Sequence, residues 1–563
     1  MRNFFKYQDT SPYPAPPEVY NKRVWLMMLS ASMSAGMFGY DGAFLGGTLS
    51  LPSFKHTFGL VDSAGALKLA ALSSHIVSTF QAGCFFGTLS TYPLVERVGM
   101  RYCFFLASFL FVLGSILQTV STGQLSLIYI GRALTGLAIG NAYLLGPAYV
   151  ALNSPPAIRG KMVGLLECVY QGFQVIGFWI NFGVNKHMSP HSNSQWRVPV
   201  GFQILPGTLL ALLMFFQPEA PRWLINKGRV EEGIRNLCYL RNLPADHPYI
   251  QFELQQIQDQ IKSEHDAGHN DSFLSKLKEA FGPNNRTRLF LGFATMLLQN
   301  ASGINALNYY SAQLIRNVGF SGTSVSLLAT GVYGLEKAFV TLIFMSFFVD
   351  TIGRRKALLI GSIGAASGML YLGIYTNVSH SFTRKPPKDA GSGFALAAIY
   401  WYTFWYAMSW NGIPFMFCAE VFPSRIRMLC MTMTTCMQWL AQFAIVYSLP
   451  YMVLKIKGYT FVFFAACTFF SFIFTLFLMP ETKGVQLEDM DILFNIKGTA
   501  FRKNREFRRI IAERAQDRLE AETPGSLVFR SSTNVKGVDS SSSLDGKQEA
   551  IMSTHDVKHS DQA

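Results

Sequence analysis

Long apolar runs alternate with short polar segments along most of the chain. An apolar stretch of about 18 residues or more can cross a bilayer as a helix. Twelve such runs occur, at residues 24–47, 68–94, 102–121, 125–151, 162–184, 199–217, 288–316, 324–349, 357–376, 394–418, 429–453 and 459–479. Six precede the polar segment 218–286 and six follow it. The pattern predicts an all-α membrane protein with twelve transmembrane helices in two six-helix halves.

Three short charged motifs occur twice, once in each half and in the same order. Residues 96–101 correspond to residues 350–355, residues 155–159 to residues 423–427, and residues 218–219 to residues 480–481. Each motif follows an apolar run, so the two halves read as copies of one membrane unit. Two like halves around a central site are typical of secondary transporters.

The same pattern divides the chain into five parts. We expect a cytoplasmic N-terminal segment at 1–23, the first half at 24–217, a helical cytoplasmic loop at 218–286, the second half at 287–484 and a cytoplasmic tail at 485–563. The tail is polar and ends in a serine-rich stretch. It has too few apolar residues to fold alone, so we predict that it is disordered.

Composition and charge support a membrane protein. Half of the 563 residues are hydrophobic and only 15% are charged, whereas a soluble domain has about a quarter charged residues. The net charge of +14 would suit nucleic acid, but the cations concentrate in alternate short loops on the side of both termini. The positive-inside rule therefore places both termini in the cytoplasm. We expect no cleaved signal peptide at 1–23 and no disulfide framework among the eight cysteines.

Two opposite charges fall inside apolar runs of the first half. Asp41 lies in the middle of the first run and Arg132 near the start of the fourth. Ionisable groups in hydrocarbon are costly and are usually functional or paired. A carboxylate that releases the arginine on protonation could couple proton movement to a change of packing. The alternative is a fixed structural ion pair.

The seventh run is interrupted by glycine and rich in amides. Its polar residues are Gln299, Asn300, Asn305 and Asn308, followed by two tyrosines. Amides both donate and accept hydrogen bonds, so with aromatic faces they suit a polyhydroxylated ligand. The alternative is that the amides hold neighbouring helices together. The density of the amides and the break in the run favour a binding site.

Further polar residues lie within other runs. They are Gln171 in the fifth, Trp410 and Asn411 in the tenth, and Gln438 and Gln442 in the eleventh. Lys337, early in the eighth run, would meet a carboxylate of the ligand or would pair with its neighbour Glu336. No phosphate loop, metal-ligand spacing or nucleophile elbow is present, so we predict no enzyme activity, cofactor, metal or nucleic-acid partner.

Over residues 20–490 the chain resembles the sugar porter branch of the major facilitator superfamily. The resemblance is carried by "GYD" at 39–41, "GR" at 131–132, "PEAPRW" at 218–223, "QNASGINALNYY" at 299–310, "GRR" at 353–355 and "PETKG" at 480–484. Within this branch the chain is most similar to fungal quinate permeases, through "GYDGAFLGGTLSLPSF", "SPPAIRGKMVGLLE" and "SWNGIP". Lys337 stands where this subgroup also has lysine.

The resemblance implies roles for particular residues. Asp41 and Arg132 would couple protons, and Gln171, Gln299, Asn305, Asn308 and Trp410 would line the substrate site. Gln438 and Gln442 stand where asparagine is usual, and Phe415 replaces a tryptophan. A cytoplasmic gate is also implied, formed by Glu96, Arg97, Arg101, Arg159, Glu219, Asp350, Arg354, Arg355, Glu420 and Arg427. Met100 and Leu152 replace charged residues of this gate, so its first half should be weaker.

We therefore expect a monomeric proton symporter in the plasma membrane that imports a small polyhydroxylated carboxylate or sugar by alternating access. The alternatives are a transporter of neutral hexoses or pentoses and a facilitative uniporter, which would not need Asp41. An alternative of another class is a non-transporting nutrient sensor that signals through its tail.

Overall fold

The computed structural model describes residues 15–60, 65–155, 158–266, 273–317, 319, 322–382, 389–423, 425–483, 485, 490–496 and 498–521. The regular elements of these residues are all helical. The α-helices are α1 (Lys22–Thr48), α2 (Pro52–Thr57), α3 (Ala66–Val98), α4 (Met100–Val120), α5 (Leu125–Asn153), α6 (Arg159–His187), α7 (Ser194–Gly201), α8 (Ile204–Phe215), α9 (Pro221–Asn226), α10 (Val230–Arg241), α11 (Pro248–Asp266), α12 (Phe273–Ala280), α13 (Arg286–Ala301), α14 (Ile304–Asn317), α15 (Thr323–Ile343), α16 (Val349–Ile352), α17 (Arg354–Val378), α18 (Ala390–Ala407), α19 (Ile413–Val421), α20 (Arg427–Ile456), α21 (Tyr459–Phe477), α22 (Met490–Asn495) and α23 (Ala500–Ala521).

These helices coincide with the twelve predicted membrane crossings. Nine segments of the described chain are long and apolar enough to cross a membrane, and they are formed by α3, α4, α5, α6, α7–α8, α15, α17, α20 and α21. The other three crossings correspond to α1, to α13 with α14, and to α18 with α19. The last two are interrupted helices, as expected where backbone groups line a cavity. A π-helical turn at Phe344–Phe348 extends α15.

The two halves meet along three helix pairs. Helix α3 packs on α20, α6 packs on α15, and α1 packs on α14. The α1–α14 crossing is close, because a Cβ atom on Gly46 would lie 2.7 Å from the carbonyl oxygen of Tyr309. The α6–α15 crossing is similar, since a Cβ atom on Gly334 would lie 2.4 Å from the ring of Phe178. A central site would therefore lie between α1, α6, α14 and α15.

Glycines allow the helices of the first half to approach closely. A Cβ atom on Gly136 would lie 2.2 Å from the carbonyl oxygen of Phe80, and one on Gly140 would lie 2.1 Å from that of Cys84. Both contacts join α5 to α3. Small residues at helix crossings are typical of membrane proteins, where close packing replaces the hydrophobic effect as the source of helix association. The spacing of these glycines is thus explained by packing.

The repeated motifs have matching structures in the two halves. Gly99 ends α3 with φ +91°, and Gly353 ends α16 with φ +93°, a backbone conformation that favours glycine. The carboxylate of Glu219 accepts hydrogen bonds from the backbone N–H groups of Met100 and Arg101, each at 3.0 Å. In the second half Glu481 accepts from Arg354 at 2.9 Å and from Arg355 at 3.2 Å. We call the end of the bundle that carries these loops the motif end.

The segment after α21 corrects one expectation from the sequence. We predicted disorder from residue 485 onward, but α22 and α23 are helices. Leu493 and Phe494 of α22 are buried, and Arg288 at the start of α13 binds Asp491 at 2.5 Å. These few apolar residues suffice because they pack on the second half rather than forming a core of their own. The chain up to Arg508 is one compact unit. The second unit begins at Arg509, and its described residues, 509–521, are helical. Residues 522–563 lie outside the described part.

Candidate functional site

A cavity of about 60 Å³ lies between the two halves. Its walls come from α1, α5 and α6 of the first half and from α13, α14, α15, α18 and α20 of the second. Eight of the ten residues predicted to bind substrate line it, namely Gln299, Asn300, Asn305, Asn308, Lys337, Asn411, Gln438 and Gln442. The cavity thus brings together polar side chains from four separate runs of the sequence.

The break between α13 and α14 positions the first group of amides. Gly303 has φ +92°, and a Cβ atom there would lie 2.7 Å from the ring of Phe464. Across the break, Nδ2 of Asn305 donates to Oδ1 of Asn300 at 2.7 Å. Nε2 of Gln299 donates to the carbonyl oxygens of Trp410 and Asn411 at 2.9 and 3.2 Å. The two interrupted crossings therefore support each other, and their amides are held in place before any ligand binds.

Tyrosines hold the amides on the other side of the cavity. The hydroxyl of Tyr333 donates to Oδ1 of Asn308 at 2.7 Å. Nε2 of Gln442 donates to the hydroxyl of Tyr309 at 3.4 Å. Gln438 lines the cavity beside Tyr143, whose ring packs against Phe415 at a centroid distance of 5.3 Å. The site therefore combines amide groups with aromatic faces.

Lys337 brings a cation into the cavity. Its side chain is 1% exposed, and its Nζ donates to Oε1 of Gln174 on α6 at 3.2 Å. The ammonium also lies 5.9 Å from the ring centroid of Tyr170. Its hydrogen-bond partner is thus an amide of the opposite half, whereas Glu336 is partly exposed and lies outside the cavity wall. Pairing with Glu336, the alternative left open by the sequence, is not what the structure shows.

Glu167 is a cavity residue that the sequence analysis missed. It lies on α6, and its Oε1 accepts hydrogen bonds from Gln171 at 2.8 Å and from Asn411 at 3.0 Å. A signal for it was present, because Glu167, Gln171 and Gln174 follow the i, i+4, i+7 spacing of one helix face. Its carboxylate is the natural acceptor for the donors of a polyol, and it interacts electrostatically with Lys337.

Two predicted binding residues lie behind the cavity wall. Gln171 is completely buried and supports Glu167. The indole N–H of Trp410 donates to Ser362 at 2.8 Å, and its carbonyl oxygen accepts from Gln299. Neither side chain belongs to the cavity lining. They position the residues that do line it.

Asp41 and Arg132 form a buried ion pair outside the cavity wall. Nη1 of Arg132 lies 2.7 Å from Oδ1 of Asp41, and both side chains are 0% exposed. The guanidinium also lies 4.4 Å from the ring centroid of Phe80. Asp41 is followed by Gly42, which lines the cavity. A change of the ion pair would therefore move the same turn of α1 that forms the cavity wall.

At the motif end, the gate residues of the second half are closely connected. Nη2 of Arg354 donates to Oε1 of Glu420 at 2.8 Å, and the hydroxyl of Thr482 donates to Oε2 of the same carboxylate at 2.7 Å. Nη2 of Arg355 donates to the carbonyl oxygen of Leu476 at 2.7 Å. Nε of Arg427 donates to the carbonyl oxygen of Phe422 at 3.2 Å. The side chain of Asp350 lies outside the described part.

The gate residues of the first half are arranged differently. Arg101 donates to the carbonyl oxygen of Phe215 at 2.7 Å. This matches the second half, where Arg355 donates to the carbonyl oxygen of Leu476. Glu96 pairs at 3.8 Å with Lys276 of α12, and Arg97 and Arg159 are exposed. Burial raises the pKa of Glu219, while its bonds to backbone N–H groups oppose that shift. Met100 and Leu152 occupy the places that Arg354 and Glu420 fill in the second half.

Comparisons with known proteins agree with this architecture. The family described as "Sugar (and other) transporter" matches residues 27–494. The chain is 41% identical over 488 residues to a probable quinate permease of Aspergillus niger, covering 85% of this chain and 89% of the relative. It is 38% identical over 491 residues to a quinate permease of Emericella nidulans, covering 86% and 91%.

Solved structures show the same fold. The proton:xylose symporter XylE bound to 6-bromo-6-deoxy-D-glucose has a TM-score of 0.69 at 24% identity, covering 84% of this chain and 99% of that one. A partially occluded inward-open form of XylE from E. coli has a TM-score of 0.68 at 23% identity, covering 83% and 100%.

The fold and the central cavity define a multi-pass membrane transporter of the major facilitator type. The chain belongs to the sugar transporter family of that superfamily. The predicted all-α fold of twelve transmembrane helices and the predicted kinship with quinate permeases are confirmed.

Proposed function

We propose that the protein is a proton-coupled symporter that imports a small polyhydroxylated carboxylate, of the kind represented by quinate, by alternating access. The observation that carries the proposal is Lys337, a buried ammonium in the wall of an amide-lined cavity. Amides and tyrosines suit the hydroxyl groups of the substrate, and an ammonium suits its carboxylate. The names of the relatives agree with this substrate class.

Lys337 is placed so that a substrate carboxylate can replace Gln174 as its hydrogen-bond partner. Its bond to Gln174 is to a neutral amide oxygen at 3.2 Å. A carboxylate would form a stronger, charge-assisted bond with the same ammonium. Because Gln174 belongs to α6 and Lys337 to α15, that exchange would also alter a contact between the two halves. Substrate binding and rearrangement of the halves would then be linked at one residue.

The Asp41–Arg132 pair supports proton coupling. Both groups are fully buried, where each charge depends on the other for compensation. Protonation of Asp41 would weaken the pair and favour a different packing of α1 against α5. Since α1 also forms part of the cavity wall, the proton and the substrate would act on the same helix. A facilitative uniporter would have no use for this pair.

The proposed cycle places the motif end and both termini in the cytoplasm and the protein in the plasma membrane. The two halves would rock about the cavity, with the charged contacts at the motif end loosening when the site opens to that side. A nutrient sensor of the same fold would bind the substrate without moving it. A transporter of neutral sugars would use the same amides but would gain nothing from Lys337.

Uptake in a host that lacks its own transporters tests the proposal. Labelled quinate, galacturonate, glucose and xylose are supplied separately, with and without a protonophore. We expect concentrative uptake of quinate that the protonophore abolishes, and weaker uptake of the neutral sugars. Uptake that only equilibrates would favour a uniporter, preference for glucose or xylose would favour a neutral-sugar transporter, and binding without uptake would favour a sensor.

A further inference from the structure

Glu167 and Lys337 place opposite charges in the same cavity, one on each half. Glu167 lies on α6 and Lys337 on α15, and both line the cavity. Each is held by an amide from the opposite half, Glu167 by Asn411 at 3.0 Å and Lys337 by Gln174 at 3.2 Å. Glu167 also accepts from Gln171 of its own helix at 2.8 Å, so the described partners of both charges are amides. The two charges are thus free to meet separate parts of a ligand.

The remaining groups near Glu167 are neutral around pH 7. On its own helix these are Gln171, the thiol of Cys168 and the phenol of Tyr170. From α5 it is the phenol of Tyr143. The segment between α18 and α19 contributes the amide of Asn411, and α15 contributes Lys337. Within the described part of the chain, Lys337 is therefore the charge that balances Glu167.

This balance changes when an anion enters. With Glu167 ionised and Lys337 protonated, the two charges of the empty cavity cancel. A substrate carboxylate adds one negative charge, and a net charge in a poorly solvated site is costly. A second carboxylate in the same cavity also disfavours the ionised form of the first. One proton on Glu167 would restore neutrality.

We propose that Glu167 takes up one proton when an anionic substrate binds and releases it when that substrate leaves. The inference rests on the proposed function, because it requires a substrate carboxylate beside Lys337. The proton comes from the solution on the side of entry, forms an O–H bond on the carboxyl of Glu167, and returns to solution on the side of exit. A neutral sugar would bind without this proton.

Asp41 and Glu167 would then have different tasks. Asp41 lies outside the cavity wall beside Arg132 and would couple transport of any substrate to the proton gradient. Glu167 would respond to the charge of the substrate alone. An anion would therefore be transported with one proton more than a neutral sugar.

Proton uptake on binding can be counted directly by calorimetry. The purified full-length protein is titrated with quinate, and separately with glucose, in buffers of different ionisation enthalpy. The measurement is made on the wild type and on Asp41→Asn, so that uptake by Asp41 is removed in the second. In Asp41→Asn we expect about one proton per quinate, none per glucose, and a quinate affinity that falls by about tenfold per pH unit where Glu167 is ionised.

Substitutions assign the proton to one residue. In the Asp41→Asn background, Glu167→Gln should bind quinate with no proton uptake and a flat pH profile, whereas Glu167→Asp should retain both. Glu336→Gln makes the same chemical change next to Lys337 but outside the cavity wall, and it should leave proton uptake unchanged.

Several results would overturn the inference. Quinate binding to Asp41→Asn without proton uptake would do so, and so would undiminished uptake in Glu167→Gln. If Glu167→Gln does not fold, the buffer series on Asp41→Asn and on Glu167→Asp still decides. Failure of the wild type to bind quinate while it binds glucose would instead contradict the proposed function, and this inference with it.

Discussion

Asp41 on α1 accepts a hydrogen bond from Arg132 on α5 at 2.7 Å, and neither side chain is exposed. The two residues are far apart in the sequence, and their ion pair joins the two helices that carry them. A buried pair of this kind contributes little net stability, because desolvation offsets the attraction. Removing one charge of such a pair shifts the balance strongly, and protonation of Asp41 would remove one.

Asp41→Asn should abolish accumulation of glucose driven by a proton gradient while leaving substrate exchange, whereas quinate would keep the one proton that Glu167 carries. The amide keeps the shape of the side chain and can still accept from Arg132, but it cannot bind and release a proton. The measurement compares uptake under an imposed pH gradient with counterflow in proteoliposomes. Accumulation of glucose at the wild-type level that a protonophore still collapses would exclude Asp41 as the proton carrier. Thermal unfolding of the purified variant controls for loss of folded protein.

Lys337→Asn should weaken the binding of quinate far more than that of glucose. A hydrogen bond to a charged group contributes about 1.5–3 kcal/mol, so the apparent affinity for quinate should fall by roughly 10- to 150-fold. The affinity for glucose should change by a few-fold at most. Competition assays with both ligands measure this difference.

Glu336→Gln is the matched control for Lys337, because it alters the adjacent residue outside the cavity wall. It should leave both affinities unchanged. Equal losses for quinate and glucose in Lys337→Asn would contradict the carboxylate role and would favour neutral hexoses as substrates.

Much of the fold was predictable because each membrane-spanning helix requires a long apolar run in the sequence. The twelve crossings, the duplication and the amide-rich break near Gly303 all follow from local sequence. Glu167 was missed although it shares one helix face with Gln171 and Gln174, because that spacing does not show which neighbours the face meets. Its contact with Asn411 joins two halves and depends on how α6 meets the second half.

The same limit explains the other differences. Gln171 and Trp410 were predicted to touch the substrate, but both lie behind the cavity wall. Gln171, on α6, binds Glu167, and Trp410, in the break between α18 and α19, binds Ser362. Rotation about a helix axis is set by tertiary packing, not by spacing alone. The order of α22 likewise depends on a surface that the second half provides, so the composition of the tail could not reveal it.

Gln299→Ala and Asn305→Ala should weaken substrate binding through different routes. Asn305 is held by Asn300, and both line the cavity, so its loss leaves a substrate hydroxyl unpaired. Gln299 also holds the carbonyl oxygens of Trp410 and Asn411, so its loss should displace α18–α19 as well. Each change should cost about 1–3 kcal/mol, or roughly 5- to 150-fold in affinity.

Gln118→Ala controls for the loss of a buried amide elsewhere. Gln118 is buried on α4 and bonds to the carbonyl oxygen of Gly114, away from the cavity. We expect it to lower thermal stability without changing the apparent affinity. Unchanged affinity in both seventh-crossing variants would place the substrate site elsewhere.

Glu420→Gln should lower both thermal stability and transport rate while leaving substrate affinity unchanged. Glu420 joins Arg354 at 2.8 Å to Thr482 at 2.7 Å, and the corresponding positions of the first half carry Met100 and Leu152. The second half therefore holds a charged contact at the motif end that the first half lacks, and we expect this contact to take part in closing that end. Losing a charge-assisted bond from the mostly buried Arg354 should cost about 1.5–3 kcal/mol.

Glu232→Gln breaks an exposed pair with Arg229 and should change neither quantity, because solvent screens such pairs. Thermal unfolding and turnover are compared in the two variants, and equal behaviour would show that the Arg354–Glu420 contact has no part in closing the transporter.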